Sequence, residues 1–180
     1  GRWVLQQAIA QAASWQAQKL NLQVSINISP SHLLAPLFVS ELADLLEGQA
    51  GLDPQSIELE ILESTAIADI AKASAILQQC QQLGVGFALD DFGTGYSSLT
   101  YLRKLPVQTL KIDQSFVRDM LQDPDDLNIV EGVVQLAHVF GRKVIAEGVE
   151  TMAHGEKLMS LGCCHVQGYG IARPMPADAV

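Results

Sequence analysis

The sequence predicts an α/β fold, a TIM-type (β/α)8 barrel with about six of its eight strands present in this chain. Two observations carry that prediction. Short β-rich runs alternate with helical patterns at intervals of roughly 20–35 residues, the signature of βα units joined into a parallel sheet. Each run also places its informative polar residue in its C-terminal half: Asn27, Glu60, Asp90 with Asp91, Lys111 with Asp113, Glu147 and Gln167. A carboxylate in an apolar strand is costly to bury without a partner or a metal. A barrel brings its strand C-termini to one mouth, whereas an open doubly wound sheet concentrates function at one switch point. Polar strand ends in unbroken succession therefore favour the barrel.

The elements follow in order. Residues 3–19 carry a helical pattern, followed by the strand LQVSINIS (22–29) and a short helix near 40–47. SIELEIL (56–62) is the second strand. Ile70, Ala73, Leu77 and Cys80 recur at helical spacing, which puts them on one face. GVGFALDD (84–91) and TLKID (109–113) are the third and fourth strands, with a helix over 114–121. The next helix has an acidic start at Asp125 and Asp126 and a stripe of Ile129, Val133, Leu136 and Phe140. Gly141 stands just past its end. KVIAEGV (143–149), a helix over 151–160 and CHVQGYG (164–170) complete the series. Most of these strands are apolar nearly throughout, as expected for strands covered on both faces. No low-complexity tract or linker divides the chain, so residues 1–180 are expected to form one domain.

A chain of 180 residues with 48% hydrophobic and 17% charged content fits a globular protein and not a disordered one. No apolar run reaches the roughly 18 residues that span a bilayer. The formal net charge of -9 argues against sequence-independent DNA or RNA binding, which needs basic surface. It leaves open a phosphate ligand whose charge is met by metal ions. Cys80, Cys163 and Cys164 are too few for a disulfide framework, so a reducing cytoplasmic setting is expected. The vicinal pair Cys163 and Cys164 is expected to be buried in a strand. The chain begins without Met and as though already inside a helix. It is expected to be part of a longer polypeptide, with membrane tethering through other segments left open.

The strand ends supply five carboxylates, one Asn, one Gln and one Lys. None of His32, His138, His154 and His165 stands at a strand end beside a Ser, so a Ser-His-Asp set is excluded. Exposure or a satisfied hydrogen bond is expected for each. GTGYSS lacks the Lys of a P-loop, and no zinc-type Cys/His spacing occurs. Oxygen-rich ligand sets suit hard cations, Mg²⁺ or Mn²⁺. Two such ions form a clamp for in-line displacement at phosphorus. Glycosidase chemistry also uses paired carboxylates, but two would suffice there. Within "GFALDDFGTGYSS" (86–98), Asp90 and Asp91 place two negative charges where a strand gives out, and Gly93 and Gly95 free the backbone after them. A tight acidic turn capping the next helix through Asp91 or Thr94 is the competing reading of that stretch.

The stretches SINIS, ELEILES, ALDDFGTGYSSLTYLRKLPVQTLKIDQSFV, VIAEGVET and LGCCHVQGYGIARPMP resemble, in order, the EAL domain family of bacterial cyclic-di-GMP phosphodiesterases. The resemblance covers essentially the whole chain. It implies a modified (β/α)8 barrel with one antiparallel strand, and hydrolysis of cyclic-di-GMP to linear pGpG with Mg²⁺ or Mn²⁺ in a two-metal site. A homodimer is implied, and an upstream sensory or GGDEF domain is common in the family. By motif, Asn27, Glu60, Asp90 and Glu147 look like metal ligands, with Asp91 reaching the second metal. Lys111 is similar to the lysine that contacts the attacking water, and Asp113 to a residue supporting it. Gln167 resembles a water- or substrate-binding residue, and Glu150 a substrate-side candidate. Glu63 looks like the carboxylate that anchors the loop Phe92, Gly93, Thr94, Gly95 and Tyr96.

The chain departs from the family pattern in three ways. The segment carrying the E-A-L motif, its Glu and a nearby substrate-binding Arg is absent, and with it two expected strands; the final helix is absent too. Leu62 stands where the family usually has Thr, and Cys164 where it frequently has Asp. The alternative function implied is a degenerate EAL domain acting as a non-hydrolysing cyclic-di-GMP receptor, or a dimerisation module using the helix near Tyr101 to Leu105.

Overall fold

The structure, a computed structural model, describes residues 1–95 and 99–180, apart from the side chains of Ile67, Ala68, Thr100 and Tyr101. Its described strands are β1 (Val24–Asn27), β2 (Ile57–Leu62), β3 (Gly86–Phe92), β4 (Thr109–Ile112), β5 (Lys143–Ala146) and β6 (His165–Val166). They form one six-stranded sheet in the order β1-β2-β3-β4-β5-β6. Helices stand between them: α1 (Arg2–Ala17), α2 (Pro30–Leu33), α3 (Phe38–Glu47), α4 (Glu63–Ala68), α5 (Ile70–Gln82), α6 (Leu99–Lys104), α7 (Gln114–Asp119), α8 (Pro124–Val139) and α9 (Met152–Ser160). A doubly wound sheet reverses strand order at its switch point, whereas barrel strands follow chain order. The observed order is that of an α/β barrel, as the sequence predicts. The pairings β1–β2, β4–β5 and β5–β6 are parallel. The antiparallel strand implied by the family resemblance is not among these pairings.

The chain divides into two compact units, the first made of residues 1–88 and 99–107, the second of 89–98 and 108–180. In the first, α1 buries Leu5, Ile9 and Ala12, and β2 buries Ile57, Leu59 and Ile61. The predicted stripe on α5 holds: Ala73, Leu77 and Cys80 are fully buried, and Ile70 is half-buried. Leu102 of α6 and Leu105 beyond it are also core residues, while Leu99 is exposed. In the second unit, β4 is buried along its whole length and packs with α8 and β5.

Differences from the sequence expectation have local causes. The buried face of α8 is Val130, Val133, Val134 and Ala137, so the helix is turned by about one residue from the expected stripe. Ile129 lies partly exposed. It packs instead towards Gly93, whose added Cβ would come within 3.8 Å of Ile129. Gly141 ends α8 as expected: at φ +62 it lets Arg142 N–H reach the Ala137 carbonyl at 2.8 Å while its own N–H reaches that of His138 at 3.0 Å. Strand β6 is two residues long, not the seven of CHVQGYG. Beyond it the chain crosses Val149 so closely that a Cβ on Gly168 would lie 2.3 Å from Val149 N and O. Cys163 is buried, as expected, but Cys164 is exposed, and both precede β6. No described helix is long and apolar enough to cross a membrane.

Candidate metal centre

In the second unit, Asp90 and Asp91 lie just before the last residue of β3, Lys111 lies within β4 and Glu147 directly follows β5. Successive side chains of a strand point to opposite faces, so neighbouring aspartates would ordinarily diverge. Here Asp91 leaves the strand conformation at φ +53. Asn and Asp tolerate this left-handed region better than other residues with a Cβ. The outcome is that one carboxylate oxygen each from Asp90, Asp91 and Glu147 lie within 4.8 Å of one another. The turn is closed by Thr94, whose hydroxyl donates to the Asp91 carbonyl at 2.9 Å. Gly93, at φ +103, follows, and a Cβ there would lie 3.1 Å from Phe116.

Lys111 is buried, and its Nζ stands 2.6 Å from Glu147 Oε1 and 3.1 Å from Asp90 Oδ1. A buried ammonium requires such partners. The Asp90 oxygen is close enough for charge pairing, yet it is buried and receives no well-directed hydrogen bond. Among the described residues, the Lys111 ammonium is set against the three carboxylates of Asp90, Asp91 and Glu147. At Asp91, burial, then the Asp90 charge, then a hydrogen bond with the Asp113 side chain push the carboxyl above the ordinary range, against the lowering effect of Lys111. Asp113 also caps α7, accepting from Ser115 N–H at 2.8 Å and from the Ser115 hydroxyl.

The donor set fits a hard divalent cation. It consists of carboxylates, carries excess negative charge and includes an oriented oxygen without a hydrogen-bond donor. Gln167 and Glu150 line a cleft of about 280 Å³ together with Glu147, Gln114 and Tyr169. Gln167 is tied in through its backbone, its carbonyl accepting from Val149 N–H at 3.0 Å.

The first unit carries the remaining candidates. Asn27 and Glu60 are register partners at the C-terminal ends of β1 and β2. Neighbouring strands lie roughly 4.8 Å apart, so the two side chains stand side by side on one face. Glu60 is buried and Asn27 exposed. Glu63 is buried in the first turn of α4, where backbone N–H groups favour a carboxylate. Leu62 ends β2 half-buried. Phe92 is buried, Thr94 and Gly95 are exposed, and Tyr96 lies outside the described residues.

Sequence reasoning passed over Glu58, buried and accepting from the Ser25 hydroxyl at 3.2 Å. The period-two spacing of Glu58 and Glu60 in SIELEIL is the signal that marks it. It also passed over Gln114 and Tyr169 in the cleft. His154 meets its expectation of satisfied hydrogen bonds, with Thr151 Oγ1 at 2.8 Å and the Arg118 carbonyl at 3.1 Å.

A family model described as EAL domain matches residues 1–174. A cyclic di-GMP phosphodiesterase of Pseudomonas aeruginosa is 42% identical over 173 residues, covering 96% of this chain and 29% of that protein. The bifunctional diguanylate cyclase/cyclic di-GMP phosphodiesterase MucR of the same species is 40% identical, covering 99% of this chain and 26% of MucR. This chain therefore spans less than a third of the length of these curated relatives. Among solved structures, the MucR phosphodiesterase in complex with c-di-GMP superposes with a TM-score of 0.96 at 40% identity, covering 99% of this chain and 72% of that one. The EAL domain of Mycobacterium smegmatis DcpA gives 0.92 at 41% identity, covering 99% and 81%.

Proposed function

The chain belongs to the EAL domain family, and from that premise we propose that it carries the metal-binding strand ends of a cyclic-di-GMP phosphodiesterase that yields linear pGpG. The observation that carries this reading is Lys111 held between Asp90 and Glu147 with Asp91 beside them. Asp90, Asp91 and Glu147 would hold Mg²⁺ or Mn²⁺, and for Asn27 and Glu60 of the first unit the family resemblance alone supports a metal-ligand role. When bound, such ions supply a water of lowered pKa and stabilise the departing oxygen.

The chain's own residues do the rest. Lys111 fixes the carboxylates of Asp90 and Glu147, and in this reading its ammonium also orients the attacking water. Asp113 fixes Asp91 through their shared hydrogen bond while it anchors α7. Gln167 and Glu150 offer polar groups to the substrate from the cleft beside Glu147. For Glu63 the family resemblance alone supports the role of anchoring the loop that begins at Phe92. The reading takes residues 1–180 as part of one such domain, working as a homodimer in the cytoplasm on cyclic-di-GMP and not on DNA or RNA. A sensory or GGDEF domain upstream fits it as well.

A receptor that binds without cleaving is the second reading, favoured by Leu62 in place of the family's Thr. Chromatography of cyclic-di-GMP incubated with the full natural chain in Mn²⁺ separates the two. Appearance of pGpG, abolished by EDTA, is the expected result; intact nucleotide with demonstrable binding would leave the receptor.

A further inference from the structure

The second unit holds a cavity of about 450 Å³ at the opposite end of β5 and β6 from Glu147 and Gln167. Lys143 and His165, the first residues of those strands, line it. At ~3.3 Å per residue, Lys143 and Glu147 are separated by about 13 Å along the strand. His138, in the last turn of α8, and Arg142, delivered by the turn that Gly141 makes after it, line the cavity as well.

In a chain of net charge -9, two cationic side chains and two imidazoles thus meet in one cavity, with no carboxylate among the described lining residues. Cys164 also lines the cavity. Burial lowers the proton affinity of the Arg142 guanidinium, the mark of a charge partly removed from water. An arginine fork presents paired N–H donors that match the oxygens of a phosphate, and a lysine adds a point charge. The imidazoles of His138 and His165 add further donors. Val144 and Leu161 form an apolar wall. The volume exceeds that of a single phosphate, leaving room for a second anionic group and an attached carbon skeleton.

We propose that this cavity binds a phosphorylated small molecule with at least two adjacent anionic groups, at a site separate from the metal centre. The site lies on the end of the strands that barrel enzymes do not use for chemistry, so its occupant acts as an effector and not as a substrate.

Inorganic pyrophosphate is the probe, titrated calorimetrically into the full natural chain in EDTA, so that no metal bridges it to the carboxylates. The expected result is saturable binding that weakens at least tenfold in the Arg142→Gln, Lys143→Gln double variant and stays unchanged in Asp90→Asn. Cys164→Asp, which places a carboxylate in the cavity, should weaken binding likewise, and it decides the matter if the double variant does not fold. Absence of saturable binding, equal binding by wild type and Cys164→Asp, or loss of binding in Asp90→Asn would each overturn the proposal.

Discussion

Lys111 shows most clearly how one residue holds the candidate site together. Its ammonium partly offsets a carboxylate cluster that otherwise repels itself, and it does so while buried. Lys111→Met keeps the length of the side chain and removes the charge. Breaking a buried ion pair in this way costs about 3–5 kcal/mol. Without metal, the variant should therefore melt well below the wild type, and millimolar Mn²⁺ should recover part of the difference by supplying positive charge. A melting temperature unaffected by the substitution would show that Lys111 does not offset the cluster.

The cysteines give a second test at this scale. Burial pushes the Cys80 thiol up to about 12 and raises Cys163 too, while Cys164 is exposed. A native-state thiol titration should label Cys164 rapidly and the other two only after unfolding. For Cys80 the folded value lies above the ordinary 9.0. Its stabilising contribution is therefore complete below pH 9 and is lost as the pH rises towards 12. Rapid labelling of all three thiols in the native protein would contradict this burial.

Among the helices, the long ones were legible in the sequence, as was the six-residue α7, while α2 and α4 were not. Helices α1, α5, α8 and α9 announce themselves through apolar spacing over several turns. The four-residue α2 and six-residue α4 lack the length to show any period. Strand ends were legible because carboxylates in apolar runs are conspicuous. The left-handed turn at Asp91 was not, since no residue type demands it there. Nor was the crossing of the 168–170 segment over Val149, which shortens β6 and depends on a neighbour distant in sequence. That crossing has a measurable consequence. In Gly168→Ala the new methyl would lie 2.3 Å from the Val149 backbone, and it must push the two segments apart. A loss of about 3 kcal/mol or more is expected, placing it among the strongly destabilising substitutions. Urea denaturation measures it, and a change within about 0.5 kcal/mol, typical of a surface site, would show that the segments are not packed as described.

For the whole molecule, composition and charge bounded the class, while the strand order in the sheet decided between the two parallel architectures. The candidate site was largely legible: Asp90, Asp91, Lys111 and Glu147 were singled out by position and converge in the structure. Asn27 and Glu60 were singled out in the same way and are register partners. What the sequence could not show is how charge is balanced among them, because that depends on distances across strands. In the proposed function, this balance serves metal-assisted hydrolysis. The most direct measurement is the rate of pGpG formation from cyclic-di-GMP by the full natural chain in Mn²⁺, compared with its Glu60→Ala and Lys111→Ala variants. Turnover by the wild type and a loss of about a hundredfold or more in each variant are expected, in line with the removal of a group that stabilises the transition state. Turnover that survives both substitutions would contradict the proposed function.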